Sequence, residues 1–151
     1  MSEQKEKIIT TNKKARHDYF IVQSYEAGIS LLGTEVKALR NNNANLVDGY
    51  ARIIDGEVWL INVHIGQYKH GNINNHEPFR KRRLLLKKSE IRKLIKATLE
   101  KGNTLIPLRL YFSKGKVKVE LGVAKGKKTY DKREDIAKRD AKRSLERKVK
   151  L

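Results

Sequence analysis

Residues 105–133 read LIPLRLYFSKGKVKVELGVAKGKKTYDKR. The first part alternates, with Ile106, Leu108, Leu110 and Phe112 on one face and Arg109 and Tyr111 on the other. After Ser113-Lys114-Gly115, Val117, Val119, Leu121 and Val123 share a face, while Lys116, Lys118 and Glu120 take the opposite one. Two runs of period 2 joined by a short glycine-containing turn predict a β-hairpin, with one face for a core and the other largely basic. The alternation stops at Val123, and a cationic segment without sheet-forming rhythm follows.

The rest of the chain is assigned outward from that hairpin. Upstream, Ser89 is placed as N-cap of a helix in which Ile91, Leu94, Ile95, Thr98 and Leu99 follow helical spacing, and Gly102-Asn103 closes it. Tyr50 to Ile54 and Glu57 to Ile65 flank Asp55-Gly56, a strong signal for a second hairpin. Tyr19 to Tyr25 is read as the first strand, with a turn at Glu26-Ala27-Gly28 and a return from Ile29 to Leu32. Thr34 is expected to cap a short helix, with Glu35 near its positive end. Residues 66–83 form a long polar loop ending in four cations, Arg80 to Arg83. Loops of that length are usually functional or disordered.

These elements predict a mainly β protein: an OB-like Greek-key barrel of about six strands with two or three short helices. The expected division is a flexible N-terminus over residues 1–11, an RNA-binding barrel over 12–123, and a basic C-terminal tail over 124–151. The tail holds 12 Lys and Arg against 5 Asp and Glu from residue 123 on, and its apolar stripe, Ile136 to Val149, is thin. It is expected to be disordered when free and partly helical on a partner.

Charge sets the class of partner. The chain has 151 residues and a formal net charge of +18, from 35 Lys and Arg against 17 Asp and Glu. Such an excess attracts a polyanion, with nucleic acid ahead of an anionic membrane surface. No apolar run reaches the roughly 18 residues that span a bilayer, and the first residues lack the apolar stretch of a secretory signal. A cytoplasmic monomer without a membrane partner is expected. Cysteine is absent, which excludes disulfides, thiolate nucleophiles and Cys-based zinc sites. His64, His70 and His76 lack metal-site spacing, so no metal and no cofactor is expected. The segment Gly122 to Lys128 fails the phosphate-loop pattern, having three residues between its glycines and Lys128 where a Ser or Thr belongs. Nor is there a recognisable nucleophile–base pair, and no enzymatic activity is predicted. Tyr19, Tyr111 and Tyr130 are placed where rings could stack on unpaired bases. For Tyr19 and Tyr111, core or edge packing stands as an equal reading; Tyr130 lies beyond the core pattern.

Five stretches carry a family resemblance: KKARHDYFI at 13–21, YEAGISLLGTEVKALR at 25–40, NVHI at 62–65, NHEPFRKRRLLL at 75–86 and GVAKGKKTYDKR at 122–133. Together they resemble the small protein B family of bacterial proteins, which bind SsrA, the transfer-messenger RNA. The resemblance spans roughly residues 12 to 148 and implies a role in trans-translation. In that role the barrel binds the tRNA-like domain and helps deliver it to stalled ribosomes. The tail probes the decoding centre and the empty message channel. The implied partners are transfer-messenger RNA, the ribosome (above all its small-subunit RNA) and, indirectly, elongation factor Tu. The resemblance places RNA contacts at Asn12, Lys13, Glu26, Leu85 and Lys118, and ribosome contacts at Gly126, Lys127, Lys128, Asp131, Lys132 and Arg133. Tyr19, Arg82 and Arg83 join the first group and Tyr130 the second from the residue reading. The alternative is a ribosomal or ribosome-assembly protein that stays on ribosomal RNA.

Overall fold

The computed structural model describes residues 6–68 and 75–127. Its elements are β1 Lys7–Thr11, α1 Lys13–Asp18, β2 Tyr19–Ile29, α2 Gly33–Arg40, β3 Ala44–Asn45, β4 Tyr50–Ile54, β5 Glu57–Ile61, β6 His64–Ile65, β7 Arg82–Leu85, α3 Lys88–Leu99, β8 Asn103–Ser113 and β9 Lys116–Gly126. All pairings are antiparallel. The strand order β8-β4-β5-β7-β2-β9 returns to β8 and closes a six-stranded barrel, to which β1 adds along β8. β3 and β6 form a separate small ladder.

The two tight hairpins form where their turn residues dictate. Asp55 and Gly56 have φ of 51° and 77°, and Lys114 and Gly115 have 53° and 75°. Positive φ at both central residues marks the turn whose twist matches flanking strands. The long hairpin fills the barrel as expected on one strand: Val117, Val119, Leu121 and Val123 are all core residues. On the other strand the expected face divides. Pairing slips between Pro107 and Arg109, so Leu108 is an extra residue. The slip reverses which side each later side chain takes. Leu105 and Leu110 therefore enter the main core, while Ile106 and Leu108 pack with Ala15 and Ala124 in a second cluster under α1. β2 carries a matching slip between Ile21 and Gln23.

Several expectations are corrected. No turn occurs at Glu26-Ala27-Gly28: the three residues continue β2 and pair with Glu120, Val119 and Lys118. Residues 7–11, read as part of a loose end, form β1 because Ile8 and Thr10 find partners on β8 and Ile9 is buried. The barrel's last strand runs to Gly126, beyond the expected limit at Val123. Helix α1, read only as a basic approach, is nucleated by Asn12, whose side chain accepts from the Ala15 amide at 3.1 Å. Helices α2 and α3 start before Thr34 and Ser89, with Leu32 and Lys87 at the cap positions. In each, a glutamate three residues on accepts the cap residue's amide: Glu35 from Leu32 at 2.8 Å and Glu90 from Lys87 at 2.9 Å. The strand expected over Glu57–Ile65 breaks at Asn62, whose φ is 60°.

Candidate nucleic-acid interface

The register of four strands aligns residues that are far apart in sequence. Leu85 pairs with Gly28, Gly28 with Lys118, and Lys118 with Tyr111. A Cβ on Gly28 would lie 3.3 Å from the Leu85 Cβ, a tight contact that would press Leu85 aside by a few tenths of an ångström. Leu85 is left 47% exposed at the edge of a hollow lined also by Gly28, Leu31, Val36, Lys116 and Lys118. An apolar side chain beside two ammonium groups suits a base with its phosphate. Two of the expected RNA residues, Leu85 and Lys118, thus meet in one groove.

The next row holds Glu26, Glu120 and Arg109, paired in that order. Glu26 is exposed and accepts a hydrogen bond from the Tyr111 hydroxyl at 2.6 Å. Burial, then the hydrogen bond to Glu26 and its charge, pushes the Tyr111 phenol far above its usual range, so the hydroxyl stays a donor. Tyr111 is 2% exposed, and the Arg109 guanidinium lies 4.2 Å from its ring centroid. Its ring is therefore occupied, and packing prevails over base stacking. Arg109 also donates to Glu120 and Glu6, each at 2.8 Å. Glu26 emerges as an acceptor oriented by Tyr111, not as a turn residue.

The run Arg80 to Arg83 does not act as one block. Lys81 and Arg83 are exposed, whereas Arg82 is fully buried. Arg82 pairs through Nε with the Glu35 carboxylate, donates to Val63 O at 2.8 Å and to Pro78 O at 3.0 Å. Arg80 closes on the same carboxylate at 2.6 Å. Burial raises the Glu35 pKa, but bonds from Arg80, the Leu32 amide and Arg82 outweigh it and hold the carboxyl below its usual value. An RNA contact by Arg82 is replaced by a structural role. Alternation along β7 decides this, since Arg82 and Leu84 point inward while Arg83 and Leu85 point outward.

Asn12 is similarly internal. It is 2% exposed, and its Nδ2 donates to Leu46 O at 3.3 Å and Pro107 O at 3.0 Å. Its side chain fixes α1 on the barrel, and the exposed neighbour is Lys13. Tyr19, half-buried, lines a cleft with Asn12, Lys14, Asp48 and Tyr50. At the barrel's end Gly126 pairs with Tyr19, and Lys127 lies over the Phe20 ring at 5.3 Å. Phe20 is 43% exposed between half-buried Tyr19 and Ile21, and as an apolar residue in an apolar run it carries no sign in the sequence of facing outward. Lys128, Tyr130, Asp131, Lys132 and Arg133 lie outside the described residues. His76 is an internal link, bonded to Thr34 at 2.9 Å and Ile65 O at 2.8 Å. No group of three metal-ligating side chains occurs among the described residues. None of their helices is long and apolar enough to cross a membrane.

Three comparisons bear on this geometry. The family model described as SmpB protein matches residues 9–151. The SsrA-binding protein of Desulforudis audaxviator is 58% identical over 147 residues, covering 97% of this chain and 96% of that one. The SsrA-binding protein of Acetivibrio thermocellus is 55% identical over 150 residues, covering 99% and 97%. A chain from a solved structure described as tmRNA-SmpB in the bacterial ribosome superposes with a TM-score of 0.68 at 49% identity, covering 78% of this chain and 83% of its own.

Proposed function

We infer that this chain, which belongs to the SmpB protein family, binds transfer-messenger RNA and acts with it in trans-translation on the ribosome. The observation that carries this reading is the family match along nearly the whole chain. A protein with a net charge of +18 whose outer strands form a lysine-flanked groove is built for RNA. Within that function, Leu85 and Lys118 receive a base and its phosphate, and Glu26 accepts hydrogen bonds from base or ribose. Lys13 and Arg83 supply further phosphate contacts. Tyr19 stacks at the cleft beside α1, and Asn12 positions that helix.

The segment from Gly126 onward is the part that engages the ribosome, through Gly126, Lys127, Lys128, Tyr130, Asp131, Lys132 and Arg133. Its cations suit the RNA-lined decoding centre and message channel. The barrel holds the tRNA-like domain, and elongation factor Tu enters only through that RNA. The site of action is the cytoplasm, where ribosomes stall, and no reaction is assigned to the protein. The test is co-purification of the tagged full chain from bacterial cells. A discrete small stable RNA should accompany it. Recovery of ribosomal subunits alone, without that RNA, would replace this reading with a ribosome-assembly role.

A further inference from the structure

The outer face of β4, β5 and β7 carries a pattern that adjoins the groove just described at Leu85. Arg52 pairs with Trp59, and Trp59 pairs with Arg83. Paired residues share a face, as do residues two apart on one strand. Tyr50 and Leu85 therefore lie on the same side as Trp59, each diagonally from it. Tyr50 is 38% exposed, Leu85 is 47% exposed and Trp59 is half-buried. The result is a diagonal Tyr50–Trp59–Leu85 across three strands, with an arginine on either side of its centre.

The two ends of that diagonal are informative. Leu85 borders the groove holding Gly28, Lys116 and Lys118. Tyr50 lines the cleft holding Asn12, Lys14 and Tyr19. The expected RNA residues thus fall into two clusters on the barrel, and the diagonal joins them. Diagonal neighbours on a sheet stand roughly 7–8 Å apart. That is wider than the roughly 3.4 Å rise of stacked bases, so the bases taken there are splayed, as in an RNA loop. Aromatic faces receive unpaired bases whatever their identity, and neighbouring arginines track the phosphates. Arg83 is 3.7 Å from Glu57, both about half exposed. Such an exposed pair contributes little, so it can yield to a phosphate. Asp55 and Glu57 border the hollow beside Trp59 together with Lys81. Asp18 and Asp48 line the cleft at the Tyr50 end, so the cations stand at the centre of the line, where Arg52 and Arg83 flank Trp59.

We propose that Tyr50, Trp59 and Arg52, with Arg83, form a stacking track for an unpaired segment of RNA that runs across β4, β5 and β7 between the two clusters. This rests on the transfer-messenger RNA reading above. Trp59 is the chain's single tryptophan, so its emission reports on the track alone. The full chain is titrated with a transfer-messenger RNA transcript, following emission and, independently, gel mobility. Binding with strong quenching of Trp59 is expected. An RNA duplex of equal length, lacking unpaired bases, should bind through phosphates and leave the emission largely unchanged.

Tyr50→Ala should weaken transcript binding by about fivefold or more, the smallest loss expected from one base–aromatic stack. Trp59→Phe should stay near the parent and Trp59→Ala should not. Because Trp59→Ala could fail to fold, Tyr50→Ala and the unmutated quench carry the decision. Binding seen by mobility with unchanged emission, and full affinity in Tyr50→Ala, would overturn the track and leave the function intact. Absence of binding by mobility would instead overturn the function.

Discussion

Replacing Glu35 by Gln should be among the most damaging conservative changes in the molecule. The side chains of Glu35 and Arg82 are both 0% exposed. Gln keeps the shape and can still accept from the Leu32 amide, but it removes the charge. Arg82 then retains only the Val63 and Pro78 carbonyls as partners for a buried cation. Removing one member of a buried pair typically costs about 3–5 kcal/mol, because the other charge stays desolvated. Arg80 is a different case: its side chain is 33% exposed, so Arg80→Ala should cost only about 1 kcal/mol after screening. Domains are stable by roughly 5–15 kcal/mol in all, so Glu35→Gln removes a large share.

Urea unfolding followed by Trp59 emission measures it. With a slope of about 1–3 kcal/mol per molar, a loss of 3 kcal/mol lowers the midpoint by about 1–3 M. The pH dependence adds a second check. Because the folded carboxyl is held below its ordinary 4.5, its contribution is complete above that pH and fades as pH falls through the lower folded value. The gap between parent and Glu35→Gln should therefore narrow below about pH 4. A loss under about 1 kcal/mol at pH 7, or a gap unchanged in acid, would refute the buried Glu35–Arg82 pair as a source of stability.

Three further outcomes follow from the interface. RNA binding should weaken steeply with salt, log K against log[salt] sloping roughly −3 to −4 for about five phosphate contacts, and Lys118→Ala should flatten the slope by about 1; salt titrations of both proteins check this. Truncation after Gly126 should leave a folded barrel that binds transfer-messenger RNA within about tenfold of the parent, since β9 ends there, while tagging at stalled ribosomes collapses. Asn12→Ala should lower unfolding stability by about 2–3 kcal/mol, from a lost cap and two buried carbonyls left bare, measured by urea titration.

How far the sequence could be read depended on parity. Where one strand keeps its period, as from Val117 to Val123, alternation alone places every side chain correctly. An extra residue at Leu108 or Val22 reverses the faces from that point on, and alternation read along one strand does not reveal it. Pro107 and Gly122 stand beside the first slip and are its local signal, since a proline or glycine inside a strand marks a bulge; Val22 carries no such mark.

The same limit explains the basic run. Arg80 to Arg83 is uniform as charge, and only the pleat of β7 separates Arg82 from Arg83. What could have signalled the inward arginine was Glu35, an acid among few, at a position where a capping role already accounted for it. A side chain can fill both roles: one Glu35 oxygen accepts the Leu32 amide and an Arg80 bond, and the other faces Arg82. Local propensity explains the first role fully and so conceals the second. The ion pair in turn fixes the outward direction of Arg83 and Leu85. A buried carboxylate thereby sets where two of the proposed RNA contacts point. If so, Glu35→Gln should weaken RNA binding through loosened placement of β7 even in conditions where the chain stays folded. Lys13→Ala, which leaves β7 untouched, should lower affinity without lowering the urea midpoint. Equal affinity of folded Glu35→Gln and parent, measured well below the unfolding midpoint, would break the link between the buried pair and the groove.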